Sequence, residues 1–137
     1  MFPRFLLLVM ATQMGGCVSV SDVTESNDYF RFVGEKKLVV EAFLCTNPSG
    51  VRGVPESQLY RNYGFEVCPL GEHVASFPTG TNVDVNRVIV VTSGGLKTSS
   101  RWLIIGEVAE ERFYFSYGHG YLEEGKPWEP KPLIWSN

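Results

Sequence analysis

The sequence predicts a mainly β protein, built as a small antiparallel barrel or a sandwich with at most one short helix. Apolar and polar residues alternate in several short runs, which is the period of a half-buried strand. Turns rich in Gly and Pro separate these runs, as is typical of closed or stacked antiparallel sheets. The apolar share of 44% and the aromatic share of 13% suffice for a packed core.

Three consecutive segments carry the strongest strand signal and are expected to form a meander. Residues 82–91 alternate and then become apolar on both faces, which indicates a bulge near Asn86–Arg87. Residues 101–108 are also apolar on both faces, which favours a central position in the sheet. Residues 112–117 align three aromatic side chains on one face, and Gly106 is expected at a bend or a close approach.

The segments before this meander give weaker signals. Residues 29–33 and 38–45 are predicted to pair as a hairpin. Residues 55–63 are predicted to hold the short helix, because Leu59 and Tyr63 lie four positions apart within that range. Residues 65–68 suggest a brief strand, whereas the pattern of residues 70–77 favours neither helix nor strand.

The first 16 residues have the layout of a secretory leader. Arg4 supplies positive charge, residues 5–11 form an apolar run, and the small residues Gly15 and Gly16 follow. The apolar run is far shorter than the roughly 20 residues that a membrane-spanning helix needs. A cysteine, Cys17, comes next, and a plain secretory leader has no need of one there.

The sequence Met14-Gly15-Gly16-Cys17 resembles the lipobox of bacterial lipoproteins. The resemblance implies removal of residues 1–16 and lipidation of Cys17, which becomes the mature N-terminus. Several acyl chains would hold the protein firmly at a membrane. Because Val18 stands where an Asp would signal retention in the inner membrane, the resemblance further implies an outer-membrane protein that faces the periplasm. The alternative is an ordinary secretory leader with Cys17 as a bystander.

The remaining chain divides into three parts. Residues 17–28 are small and polar and are predicted to be the lipidated N-terminus and a flexible tether. Residues 29–124 form the β domain, and residues 125–137 form a Pro-rich tail. The tail either straps its own domain, with residues 133–135 capping the core, or docks into an aromatic groove of a partner.

The two other cysteines, Cys45 and Cys68, are predicted to form a disulfide. An even pair in an exported domain is typical of a structural crosslink. A reactive thiol beside His73 is the alternative, and it would need a reduced cysteine in an oxidising compartment.

Composition and motifs argue against several functions. The net charge of −3 argues against nucleic-acid binding. His73 and His119 lack ligand spacing to another His or Cys, so no metal site is predicted. No nucleophile elbow and no phosphate-binding glycine loop occurs, so we predict a non-catalytic protein without a cofactor. The alternative is a hydrolase that gathers His119 or His73 with carboxylates.

Four residues are candidates for binding. His119 lies between two glycines, which favours an exposed ring in a flexible loop. Tyr114, Tyr121 and Trp128 could stack on sugar rings, with peptidoglycan as the ligand, although core packing is the alternative explanation for such aromatics.

Residues 78–85 are similar to the opening of a strand in bacterial SH3-like barrels, which makes that barrel one expected form of the fold. The expected function is a lipid-anchored binding, assembly or accessory subunit of the cell envelope, with another envelope protein or peptidoglycan as its partner. The alternative is a periplasmic inhibitor or immunity-type lipoprotein directed at a hydrolase such as a lysozyme. The chain resembles membrane-bound lysozyme inhibitors in size, anchor, β content and disulfide, and a protruding charged loop near residues 118–125 would favour that role.

Overall fold

The chain is mainly β, as predicted. The computed structural model describes residues 18–94 and 99–136. The elements, in chain order, are β1 (Val18–Asp22), a 3-10 helix (Phe30–Phe32), β2 (Gly34–Lys37), β3 (Ala42–Thr46), β4 (Ser57–Arg61), β5 (His73–Phe77), β6 (Asn82–Ser93), β7 (Ser100–Val108), β8 (Glu111–Gly120) and a second 3-10 helix (Leu122–Glu124). None of these elements is an α-helix.

The eight strands form one open sheet of barrel-like or sandwich type. The order of strands is β1-β6-β7-β8-β4-β3-β5, and β2 pairs with the other half of the β6 edge that β1 occupies. Neighbouring strands are antiparallel except β4 and β8, which run parallel and pair at Gln58 and Tyr114. The three segments predicted as a meander are β6, β7 and β8, and they lie side by side as expected.

The predicted bulge in β6 is present. The register with β7 shifts between Val85 and Arg87, so Asn86 is the additional residue. An additional residue restores the inward direction of the side chains that follow it. The valines of both halves therefore face one core: Val83, Val85, Val88 and Val90.

The predicted close approach at Gly106 is also confirmed. A Cβ atom at this position would lie 2.3 Å from the carbonyl oxygen of Asp84 and 3.0 Å from the ring of Phe113. Contacts this short are not tolerated between real side chains, so the site accepts only glycine without a shift of the neighbouring strand.

The sheet buries apolar side chains on both faces of its centre, as predicted for residues 101–108. The larger core collects residues from β3 to β8, from Tyr29 and from the tail. The smaller core lies on the other face and is covered by Val51 and Val54 of the β3–β4 connection. Its buried members are Ile89, Val91, Leu103, Ile105 and Tyr114.

Several predictions for the first half of the chain were wrong. The predicted helix at residues 55–63 is strand β4, because pairing with β3 supplies its backbone hydrogen bonds. Residues 65–68 are a connection and not a strand, whereas the ambiguous range 70–77 contains β5. Residues 29–33 contain a 3-10 helix instead of the first strand of a hairpin.

The prediction of a flexible tether was wrong where the structure describes it. Val18–Asp22 is β1, and every one of its residues is paired with β6. Small polar residues do not prevent strand pairing when an open sheet edge is available. The next residues are also ordered, since the Thr24 amide donates to the Asp22 carboxylate and Tyr29 is buried. Residues 1–17, with the predicted leader and Cys17, lie outside the described residues.

The Pro-rich tail straps across its own domain, which decides between the two alternatives. The amide of Trp128 donates to the carbonyl of His119, and the amide of Lys131 donates to that of Tyr117, each at 2.8 Å. Trp135 then forms a bridge with Leu38. The end of the tail caps the larger core as expected: Ile134 and Trp135 are buried, and Leu133 packs beside them.

Candidate binding surface

The connection between β4 and β5, residues 62–72, is fixed to the sheet and is here called the bridged loop. The predicted disulfide is present and joins Cys68 of this loop to Cys45 of β3, with 5.7 Å between the Cα atoms. The Thr46 amide also donates to the Glu72 carbonyl at 2.9 Å. The loop is therefore held against β3 near its C-terminal end by one covalent bond and one backbone hydrogen bond.

This fixed segment exposes large apolar side chains. The bridged loop and the start of β5 carry five such side chains, which are between 42% and 84% exposed: Tyr63, Phe65, Val67, Leu70 and Val74. Single exposed apolar side chains are common on soluble proteins, but a concentration of them in one segment makes that segment a candidate binding surface.

Strand β5 adds an open backbone edge to this segment. It is the last strand in the order of the sheet, and among the described strands it pairs with β3 alone. An edge strand presents unpaired amide and carbonyl groups, which can pair with a strand of another protein. The bridged loop and β5 together are here called the apolar edge.

One histidine of β5 contacts the bridged loop. The Nε2 atom of His73 lies 2.9 Å from the Glu66 carboxylate and 2.7 Å from the Ser76 hydroxyl. Its ring stacks beside Phe43, with 6.3 Å between the centroids. The Glu66 contact is solvent-exposed, so it contributes at most about 1 kcal/mol when the histidine is charged. The carboxylate that His73 contacts belongs to Glu66 of the bridged loop, and not to Glu72, its neighbour in the sequence.

A positively charged groove adjoins the apolar edge. It has a volume of about 170 Å³ and lies between β4, β8 and the tail. Arg61, Tyr63 and Lys131 line it, and the Arg61 guanidinium lies 5.1 Å from the centre of the Tyr63 ring. Two cations beside aromatic and apolar surface suit an acidic group of a partner.

The structure separates one of the four candidate binding residues from the others. Tyr114 is buried in the smaller core, where its hydroxyl donates to the carbonyl of Asn47. Burial raises the pKa of this phenol. The prediction that Tyr114 contacts a ligand was wrong, because the β3–β4 connection covers the face of β8 on which it lies.

The other three candidates lie close together. The rings of Tyr121 and Trp128 meet edge to face with 4.9 Å between their centroids, and both are exposed. His119 is exposed but belongs to β8, so its predicted flexible loop was wrong. The Trp128–His119 backbone hydrogen bond brings these residues together.

An aromatic cleft that the sequence did not predict lies next to this group. Its volume is about 390 Å³, and its walls include Tyr29, Phe32, Tyr117 and Trp128. Phe32 contacts Tyr29 and Tyr117 edge to face at 5.5 Å each. The aromatic alternation of residues 29–33 was visible in the sequence, but it was assigned to a strand. Burial raises the pKa of Tyr117.

The two histidines lie apart in the sheet. His73 is on β5 and His119 is on β8, strands that are not neighbours. Across residues 18–94 and 99–136, no three His, Cys, Asp or Glu side chains are placed to hold a metal ion.

Comparison of the chain with protein-family models, with curated proteins and with solved structures found no match. In the described part of the chain, no helix has the length and hydropathy needed to cross a bilayer.

Proposed function

We propose that this chain is a lipid-anchored protein of the cell envelope that binds another envelope protein through the apolar edge. The observation that carries the proposal is the exposure of five large apolar side chains on a segment that a disulfide holds in place. Covering such side chains gains about 25 cal/mol per Å² of apolar surface. A fixed loop also loses little conformational freedom when it binds.

The chemistry of the partner surface can be inferred from the two parts of the site. Apolar side chains of the partner would cover Phe65 and Leu70, and an extended segment could pair with β5. An acidic group of the partner would enter the groove beside Arg61 and Lys131. The role is that of a binding, assembly or accessory subunit.

The location at the outer membrane, facing the periplasm, is supported by sequence and by redox chemistry. The lipobox-like residues Met14–Cys17 end immediately before β1. The Cys45–Cys68 disulfide fits an oxidising compartment outside the cytosol. Mass analysis of the mature N-terminus tests this part of the proposal directly. We expect Cys17 as the first residue, carrying acyl chains.

One observation favours a second candidate function, an inhibitor or immunity-type protein for a hydrolase such as a lysozyme. The 3-10 helix Leu122–Glu124 exposes Glu123 and Glu124, so it offers a small acidic surface to a basic enzyme. In that case the captured partner would be the hydrolase, and its activity would fall on binding.

Site-specific photocrosslinking in the native envelope tests the binding surface. A photoreactive amino acid is placed at Phe65 or Leu70 of the full chain, and at Phe30 or Val39 in matched controls. The control positions are also exposed but lie outside the apolar edge. We expect one crosslinked protein from both loop positions and none from the controls. Identical products from all four positions, or no product from the loop, would contradict the proposal.

A double variant supplies an independent check. Phe65→Ser combined with Leu70→Ser should change stability by less than about 1 kcal/mol, because both side chains are exposed. Recovery of the crosslinked partner should fall at least about tenfold, since buried aromatic and aliphatic anchors dominate such interfaces. Phe30→Ser is the control and should leave recovery unchanged.

A further inference from the structure

The register of four strands brings distant parts of the chain to one end of the sheet. Ser19 of β1 pairs with Thr92 of β6, which pairs with Ser100 of β7, which pairs with Gly120 of β8. Adjacent strands lie about 4.8 Å apart, so Ser19 and Gly120 are separated by about 14 Å. The residue before Ser19 and the residues after Gly120 therefore lie at the same end of the sheet.

This end of the sheet exposes its own apolar group, here called the anchor end: Val18, Tyr121, Leu122 and Trp128. These side chains are between 38% and 53% exposed. Tyr121 and Trp128 contact each other edge to face. Tyr and Trp are the side chains enriched where a protein meets the interface between water and lipid, because their rings are apolar and their edges are polar.

No linker separates the anchor end from the residue proposed to carry the lipid. Val18 pairs with Ser93 and is already part of the sheet. Cys17 is the preceding residue in the sequence, and consecutive Cα atoms are about 3.8 Å apart. Acyl chains on Cys17 would therefore hold this end of the sheet directly at the bilayer surface, whereas a long flexible tether would allow any orientation.

We propose that the anchor end rests in the interfacial layer of the membrane that holds the lipid of Cys17. This inference depends on the proposed anchor and deepens it. The lipid holds the β1 side of the sheet, and the Tyr121–Trp128 pair forms a second contact about 14 Å away. Two separated contacts restrict the orientation of the domain to rotation about the line that joins them, so the position of the apolar edge relative to the bilayer is limited.

Charge near the second contact indicates how it binds. Between Leu122 and Pro130, Lys126 is the single cation, whereas Glu123, Glu124 and Glu129 are anions. Attraction to anionic lipid headgroups therefore does not drive the contact. Burial of apolar side chains drives it, and the contact should persist in zwitterionic membranes and at high salt.

Tryptophan fluorescence provides the test. The full chain is produced in a bacterium that processes lipoproteins and is reconstituted in phosphatidylcholine vesicles that contain acyl-brominated lipid. Trp102 and Trp135 are buried in the protein, whereas Trp128 is exposed. We expect bromine to remove up to about one third of the total emission, through Trp128 at the interface. Trp128→Phe should abolish this quenching.

A second placement of the fluorophore serves as the control. Trp128→Phe combined with Leu70→Trp moves the exposed tryptophan to the part of the apolar edge beside Thr46, at the opposite end of the sheet from Gly120. Its emission should not be quenched by the lipid. Flotation of the protein with the vesicles and the lipid mass on Cys17 report separately on the anchor.

The outcomes separate the two proposals. A lipidated protein that floats but shows no quenching through Trp128, or equal quenching in the Leu70→Trp control, overturns the orientation and leaves the anchor standing. A change of Trp128 emission with isolated peptidoglycan and none with vesicles also overturns it. A mature protein without lipid at Cys17 overturns both.

Discussion

At the scale of a single residue, Tyr29 connects the larger core with the Pro-rich tail. Its ring is buried in the larger core and contacts Phe32, and its hydroxyl donates to the carbonyl of Gly125 at 3.2 Å. Burial, followed by repulsion from Tyr117 and Asp28, raises the pKa of Tyr29 to about 12. In the folded protein the Tyr29 phenol therefore stays neutral at pH values where an ordinary tyrosine is ionised.

The elevated pKa predicts a loss of stability in alkaline solution. Below pH 10 the phenol is protonated in the folded and the unfolded states, so its contribution is complete. Between pH 10 and about pH 12 only the unfolded state releases the proton, and stability falls as pH rises. Urea unfolding of the parent at pH 8, 10 and 11 should show this decline.

Tyr29→Phe isolates the contribution of that hydroxyl. At pH 8 the variant should be less stable by about 1 kcal/mol, because it lacks the hydrogen bond to Gly125. Its further loss between pH 10 and pH 11 should be smaller than that of the parent. Parallel curves over this range would show that Tyr29 titrates normally.

At the scale of single elements, the sequence left open whether the Pro-rich tail packs on its own domain or on a partner. In the structure it packs on its own domain. Trp135 lies 5.2 Å from Phe115 and 6.2 Å from Phe113, measured between ring centroids. Backbone hydrogen bonds from Val39 to Ile134 and from Ser136 to Lys37 hold both sides of this residue. The end of the Pro-rich tail therefore closes the larger core.

The Pro-rich tail holds one buried and one exposed tryptophan, so the effects of removing them on stability can be compared. Trp135→Ala should destabilise the domain by roughly 3–5 kcal/mol, because it opens a large cavity in the core. Trp128→Ala should cost less than about 1 kcal/mol, since that side chain is exposed. Urea unfolding measures both, and Trp135→Phe gives an intermediate value if the alanine variant does not fold. Equal losses of stability in the two alanine variants would contradict the burial of Trp135 in the larger core and the exposure of Trp128.

The outcomes for individual elements show what local sequence could predict. The meander β6–β8, the bulge at Asn86 and the close approach at Gly106 depend on patterns within a few residues, and all were predicted. Strand β4 depends on pairing with β3 and β8, which no local pattern records, so the spacing of Leu59 and Tyr63 favoured a helix instead.

For the candidate site, the same distinction holds. The disulfide could be predicted from cysteine number alone. The apolar edge could not, because exposure of residues 63–74 depends on which strand ends the sheet. Tyr114 was misassigned because the cover over its face comes from a connection more than fifty residues earlier in the chain.

At the scale of the whole molecule, the disulfide joins the interior of the sheet to its exposed apolar edge. Cys45 is fully buried in β3, and Cys68 lies in the bridged loop. The crosslink spans a sequence separation of 23 residues, which includes β4 and more than half of the loop. It reduces the freedom of the unfolded chain and also holds the loop against β3, in the conformation that we propose binds the partner.

Removal of the disulfide should therefore lower both stability and binding. Cys45→Ala combined with Cys68→Ala should cost about 3 kcal/mol in urea unfolding, and recovery of the crosslinked partner should fall with it. Reduction of the parent by a thiol reagent is the control and should give a similar loss. Unchanged stability after both treatments would show that the crosslink has no structural role.

The bulge in β6 has a consequence for how the length of this strand can vary. Asn86 sets the parity of every residue after it, so a single insertion or deletion within β6 would exchange the side chains of its second half between the two cores. The register with β1 would shift by the same step. Length changes in this region are therefore tolerated only in pairs or in the turns, while substitutions of similar size remain acceptable.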